Sequence, residues 1–164
     1  MSTIAERVKK WLIAECGASV ALRALTGSPG PAWSADDSGP SRVGVFIRCV
    51  SARRHRRWAD EVRAEVYCCA TGEQACWTMM STVQDVLEAV PGFAKSWGSS
   101  PTAKGLGLKF ILREEDGPPF RHESQAGSVV WVGKTAYRIR GASSFVAGIA
   151  PPGGPDTIIE GGEP

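Results

Sequence analysis

The chain has 164 residues, 43% of them hydrophobic and 22% charged, and a formal net charge of +2. That size fits a single domain with a real core, and the charge argues neither for nor against a nucleic-acid partner. No run approaches the about 18 apolar residues that span a bilayer, and Glu6, Lys9, Lys10 and Glu15 break every apolar run near the N-terminus; the expectation is a cytoplasmic compartment with no signal peptide and no membrane.

A helix opens the chain. Ser2 or Thr3 can cap it, Ile4, Val8, Trp11 and Leu12 form its apolar stripe, and Gly17 is its expected end. Val20 to Leu25 is short and apolar, and its pattern leaves a strand and a helical turn both open. Thr26 to Ser41 reads as a loop from its Gly, Pro, Ser and Asp content. Loops of that length are usually functional or disordered. Val43 to Val50 is β-branched and aromatic, as in a strand. Ser51 to Asp60 reads as a second loop, and it carries Arg53-Arg54-His55-Arg56-Arg57.

The best-defined unit follows. Val62, Ala64, Val66, Cys68 and Ala70 point one way, and Glu61, Arg63, Glu65, Tyr67 and Cys69 the other. Such period-two alternation marks a strand with one face on a core. Thr71 to Gln74 has the spacing of a capping box. Ala75, Met79, Val83, Val86, Leu87 and Val90 then recur at helical spacing, and Pro91-Gly92 stops the helix. Beyond a Gly/Ser/Pro stretch at Gly98 to Gly105, the segment Leu106 to Arg113 reads as a strand with Leu106, Leu108, Phe110 and Leu112 on one face. Glu114 to Gly127 is polar and holds Pro118-Pro119. Ser128 to Arg140 is the longest strand, with Val130, Val132 and Ala136 opposite Val129, Trp131, Tyr137 and Ile139.

One sheet must bury the stripes of two helices, and loops join most neighbouring strands. The expected class is α+β, a mixed or largely antiparallel sheet with two helices packed on one face. Residues 1–144 form that domain. Residues 145–164 read as a flexible Pro/Gly-rich tail holding Asp156, Glu160 and Glu163 and no Lys or Arg, so the rest of the chain carries a net +5.

This order resembles the tail terminator (tail completion) proteins of long-tailed bacteriophages, over about Ile4 to Gly141. The likeness is carried by Arg63 to Ala70 running straight into the helix from Thr71 to Leu87, and by Pro118-Pro119-Phe120, Val129-Val130-Trp131 and Tyr137 to Arg140. It implies a virion structural protein: a ring, hexameric in the family, that caps the finished tail tube. The implied partners are the tail tube protein and the head-completion or connector protein, and the implied place is the head–tail junction after assembly in a host cytoplasm. Other phage neck components, a head-completion or adaptor protein, share much of this logic. A small nucleic-acid-binding module using the arginine cluster is the third reading.

The candidate interface or DNA-lumen contacts are Arg53, Arg54, Arg56, Arg57 and Trp33. The arginines can meet DNA phosphates, pair with a neighbouring subunit or sit in solvent. Trp33 is either an interface anchor or a local packing residue. Trp11, Trp77 and Trp131 read as core or interface residues, and Trp58 and Trp97 as either. Cys16, Cys49, Cys68, Cys69 and Cys76 lack zinc-ligand spacing and read as free thiols filling small gaps. The histidines are His55 and His122, and the neighbours His122, Glu123 and Ser124 do not make a triad by adjacency. No catalytic, cofactor or metal site is expected, and the chain is not expected to be an enzyme.

Overall fold

The computed structural model describes residues 3–34, 42–56, 59–88, 107–123 and 127–143, without the side chains of residues 55, 56, 109 and 110. Over these the chain forms α1 (Ile4–Ala18), α2 (Val20–Thr26), β1 (Ala32–Trp33), β2 (Gly44–Arg56), β3 (Ala59–Ala70), α3 (Glu73–Glu88), β4 (Leu108–Asp116), β5 (Phe120–Glu123) and β6 (Val129–Ala142). The strands make one sheet in the order β1-β2-β3-β6-β4, and β5 also pairs with β6. Among the described residues β1 and β2 are parallel and every other pairing is antiparallel. The class is the expected α+β.

Helix starts follow from side chains that replace missing backbone partners. Thr3 caps α1: its hydroxyl accepts from the Glu6 N–H at 3.2 Å, and Glu6 Oε2 accepts from the Thr3 N–H at 2.7 Å. The helix passes through Gly17 and ends at Ala18, one residue beyond the expected stop. Ser19 then caps the next helix, its Oγ accepting from the Leu22 N–H at 3.2 Å. That cap resolves the open segment as helix α2, which ends where Gly27 turns left-handed at φ 65°. In α3 the Gly72 carbonyl accepts from Cys76 N–H at 2.9 Å. With the helix starting at Glu73, Thr71 stands one residue too early for the expected capping box.

The core lies between the helices and one sheet face. Val62, Ala64, Val66, Cys68 and Ala70 of β3 are buried there, as the alternation predicted. Ile4, Val8, Trp11 and Leu12 of α1 and Met79, Val83 and Leu87 of α3 cover them. Each large apolar side chain so buried contributes about 1.5–3 kcal/mol before chain entropy is charged against it. Ala75 is exposed, so the α3 stripe begins at Cys76. A third helix joins the layer through Leu22 of α2. Met80 rests directly against Gly133 of β6, where any side chain would displace it.

Two expected loops and one polar stretch give way to strands. The arginine-rich segment is the end of β2 and forms a hairpin with β3, in the register Arg53↔Glu61, Arg54↔Asp60 and Arg56↔Ala59. Opposite charges facing across the strands stabilise what composition alone suggests is loop. Within Thr26 to Ser41, Ala32 and Trp33 pair with Val45 and Phe46 as β1. Glu114 to Gly127 holds the end of β4 and all of β5. Gly117 N–H donates to the Lys134 carbonyl at 3.0 Å where the Pro118-Pro119 break separates the two strands along β6.

In β4 the expected face is wrong for Leu112. A register shift between Leu108 and Phe110 swaps the alternation, so Leu108 and Ile111 face the core and Leu112 is exposed. An extra residue at a bulge does this in any strand. A second shift between Arg113 and Glu115, with the charges of Arg113 to Asp116, blunts this sheet edge against further pairing. Residues 89–106, with Trp97 and the expected Pro91-Gly92 stop, and the tail 145–164 lie outside the described residues.

Candidate assembly interface

Helices cover one face of the sheet, and the opposite face is where the candidate site lies. It is built from the alternate residues of each strand: Phe46, Arg48 and Arg53 of β2, Glu61, Arg63, Glu65, Tyr67 and Cys69 of β3, and Val132, Lys134, Arg138 and Arg140 of β6. The polar half of the β3 alternation therefore faces outward, as the sequence pattern requires.

The face has two unlike ends. At one end Glu61 is only 4% exposed and is ringed by guanidinium groups. Arg53 donates to its Oε1 through Nε at 3.0 Å and Nη2 at 2.8 Å, Arg140 Nε reaches Oε2 at 2.8 Å, and Arg138 Nε lies 3.8 Å from Oε1. Burial alone would raise the Glu61 carboxyl, but the hydrogen bonds from Arg140 and Arg53 outweigh it and hold the group below its ordinary value. Further along, Lys134 bridges Glu115 at 2.9 Å and Glu65 at 3.3 Å, Arg63 reaches Glu115 at 3.3 Å, and Arg138 holds Glu114 at 2.7 Å. The bond to Glu115 pushes the Lys134 ammonium up, and the same contact pulls Glu115 down.

At the other end the face is apolar. Cys69, Val130 and Val132 form a small second core with Trp33 and Tyr67 packed on it. Trp33, Phe46 and Tyr67 stack in tilted pairs, with ring centroids 5.8 and 5.9 Å apart. The Arg42 guanidinium sits 4.4 Å above the Trp33 ring. Tyr67 joins the two ends by donating its hydroxyl to Glu65 at 2.8 Å; burial and that bond raise its pKa. On the same face Phe120 and Leu112 are half exposed, at 50% and 48%. Gly44 makes the aromatic end possible. Its φ is +142°, and a Cβ there would stand 2.5 Å from the Pro31 carbonyl oxygen and 2.8 Å from the Trp33 ring.

The expected site residues are divided by this geometry. Trp33 is half-buried in local packing on Phe46. Arg53 belongs to the open face, whereas Arg54 turns to the other side and pairs with Asp60 at 3.1 Å. Arg56 ends β2 opposite Ala59, and Arg57 and Trp58 lie outside the described residues. Trp11 is in the core, Trp131 packs on its edge, and Trp77 is 43% exposed on α3. His122 and Glu123 are successive residues of β5 and so point to opposite faces. Cys16, Cys68, Cys69 and Cys76 are buried free thiols, and burial pushes Cys16 and Cys69 up to about 12. Glu61, Lys134, Arg138 and Arg140 were missed. Their signal was the same-parity charges of β3 and β6, which become a lattice only in register.

No protein-family model matches the chain, and no curated protein matches it. A chain of a solved structure, the virion of a native gene transfer agent (GTA) particle, is similar to it at 13% identity with a TM-score of 0.49. That match covers 87% of this chain and 99% of that one.

Proposed function

We propose that this chain is a structural subunit of a phage-like virion that assembles into a closed ring, six subunits being the expected number, at the end of a tail tube. In this reading it caps the tube and offers the surface on which the head connector docks. The observation that carries the reading is the open sheet face: among the described residues the helices of the core lie on the other side, yet this side exposes Phe120 and Leu112 by about half beside its buried cluster of Cys69, Val130 and Val132. An apolar sheet surface outside the core is a feature of proteins that finish their packing on a partner. The element order, with β3 running through two residues into α3, supports the same reading. In the nucleic-acid alternative Arg53 and Arg54 must serve phosphates, but their charges are already met by Glu61 and Asp60 within the hairpin.

Multi-angle light scattering of the purified protein and negative-stain imaging of tails test the proposal. A ring-sized mass and density at the head–tail junction are expected. A protein that stays monomeric at all concentrations and is absent from that junction refutes it. Density elsewhere in the neck assigns it to another neck component.

A further inference from the structure

Two sides of this subunit are complementary in charge, and each carries exposed apolar groups. Among the described residues, the strands of the open sheet face bear six cationic side chains: Arg48, Arg53, Arg63, Lys134, Arg138 and Arg140. They bear four carboxylates, Glu61, Glu65, Glu114 and Glu115. That is a surplus of two positive charges, flanked by the half-exposed Phe120 and Leu112. On the far side of the molecule, α3 contains Glu73 and Asp85 and no Lys or Arg, while its last residue, Glu88, is held by Arg113 at 3.4 Å and by the Tyr137 hydroxyl at 3.2 Å. Among them Trp77 stands 43% exposed, although the core-facing stripe of the same helix is fully buried. A bare tryptophan on an acidic helix is an unusual feature of a surface that faces only water, and Trp is a preferred anchor of protein interfaces.

We propose that the outer face of α3 docks on the open sheet face of a second copy of this chain. The acidic helix meets the basic sheet, and Trp77 packs on the half-exposed Leu112, which lies across β6 from Arg63. The occupant is a second copy because both halves of the match, in charge and in apolar anchor, are present on this one chain. Each copy uses one face as donor and the other as acceptor. A contact between unlike faces is heterologous, and repetition of such a contact closes a ring when the rotation permits, whereas like-on-like contacts stop at a dimer. The inference rests on the ring reading and names the contact that would build it.

Full-length variants test it by light scattering and sedimentation. Glu73→Arg with Asp85→Arg reverses the helix, and Arg48→Glu with Arg63→Glu reverses the sheet. Each pair should raise the concentration needed for assembly at least tenfold. Mixing the two reversed proteins should give alternating contacts, and combining all four changes in one chain should restore assembly toward the parent. Trp77→Ser should weaken assembly without lowering the thermal midpoint of the unassembled subunit, so a folding defect is recognisable by circular dichroism. A parent that assembles while all these variants assemble equally well overturns the contact and leaves the ring reading standing. A parent that never assembles overturns the ring reading and the contact with it. Salt-steep binding of a random-sequence duplex oligonucleotide, lost in Arg48→Glu with Arg63→Glu while assembly is unchanged, overturns the contact by assigning the sheet face to phosphates.

Discussion

Removing the Glu61 carboxylate is the sharpest test of the charged end of the sheet. Glu61 is 4% exposed and receives Arg53 and Arg140 at 2.8 Å each. Hydrogen bonds to charged groups contribute about 1.5–3 kcal/mol, and breaking a buried pair costs about 3–5 kcal/mol. The partners here are partly wet, with Arg53 side-chain exposure of 70% and Arg140 of 31%, so screening reduces the figure. We expect Glu61→Ala to cost about 2–4 kcal/mol, and Glu61→Gln, which keeps the shape, about 1–2 kcal/mol. For a chain of this size each kcal/mol shifts the melting midpoint by about 2–4 °C. The pH dependence fixes the cause. The folded Glu61 pKa is lowered, so its stabilisation is fully present above the unfolded value near 4.5 and is lost as pH falls through the folded value. Denaturant unfolding of parent and Glu61→Gln should therefore differ at pH 7 and converge at low pH, where both side chains are neutral. A difference that stays constant down to the acid limit refutes the charge argument and leaves only shape.

Met79→Asp or Val83→Asp should unfold the subunit or cost several kcal/mol, because both sites are at most 2% exposed and offer the new charge no partner; a thermal melt equal to the parent's would contradict the core assignment. Glu73→Ala, at an exposed site, should move the same melt by less than about 0.5 kcal/mol. Gly44→Ala should cost about 1–3 kcal/mol through its positive φ and the Pro31 contact, and it should release Trp33 from Phe46, seen as a red shift and greater quenching of tryptophan fluorescence. Gly133→Ala drives a methyl into Met80 and should cost about 1–3 kcal/mol by overpacking, with Met80→Ala in the same chain recovering part of the loss. Arg53→Ser should destabilise more than Arg48→Ser in denaturant unfolding, since Arg53 holds the buried Glu61.

Local pattern was enough for the β3–α3 unit. The alternation of Val62, Ala64, Val66, Cys68 and Ala70 lies within one strand, and the stripe of Met79, Val83 and Leu87 within one helix, so each is legible without knowing what packs on it. The α+β class followed from the same stripes. The segment Val20 to Leu25 was undecided because six residues hold too few turns to show a period; the Ser19 cap and burial of Leu22 decided it. The arginine hairpin was misread because strand propensity measures how a side chain fits its neighbours, and the neighbours that suit Arg53 and Arg54, namely Glu61 and Asp60, are set by register. Leu112 was grouped on one face with Leu108 because a bulge leaves no mark on a run of alternating residues. The candidate site was half visible: outward charges on β3 could be read, whereas their union with Lys134, Arg138, Arg140 and the Trp33 cluster could not. Periodicity along one strand fixes which way a side chain points, since that depends only on backbone geometry. Which charges meet depends on pairing between segments tens of residues apart, and only the folded sheet decides that.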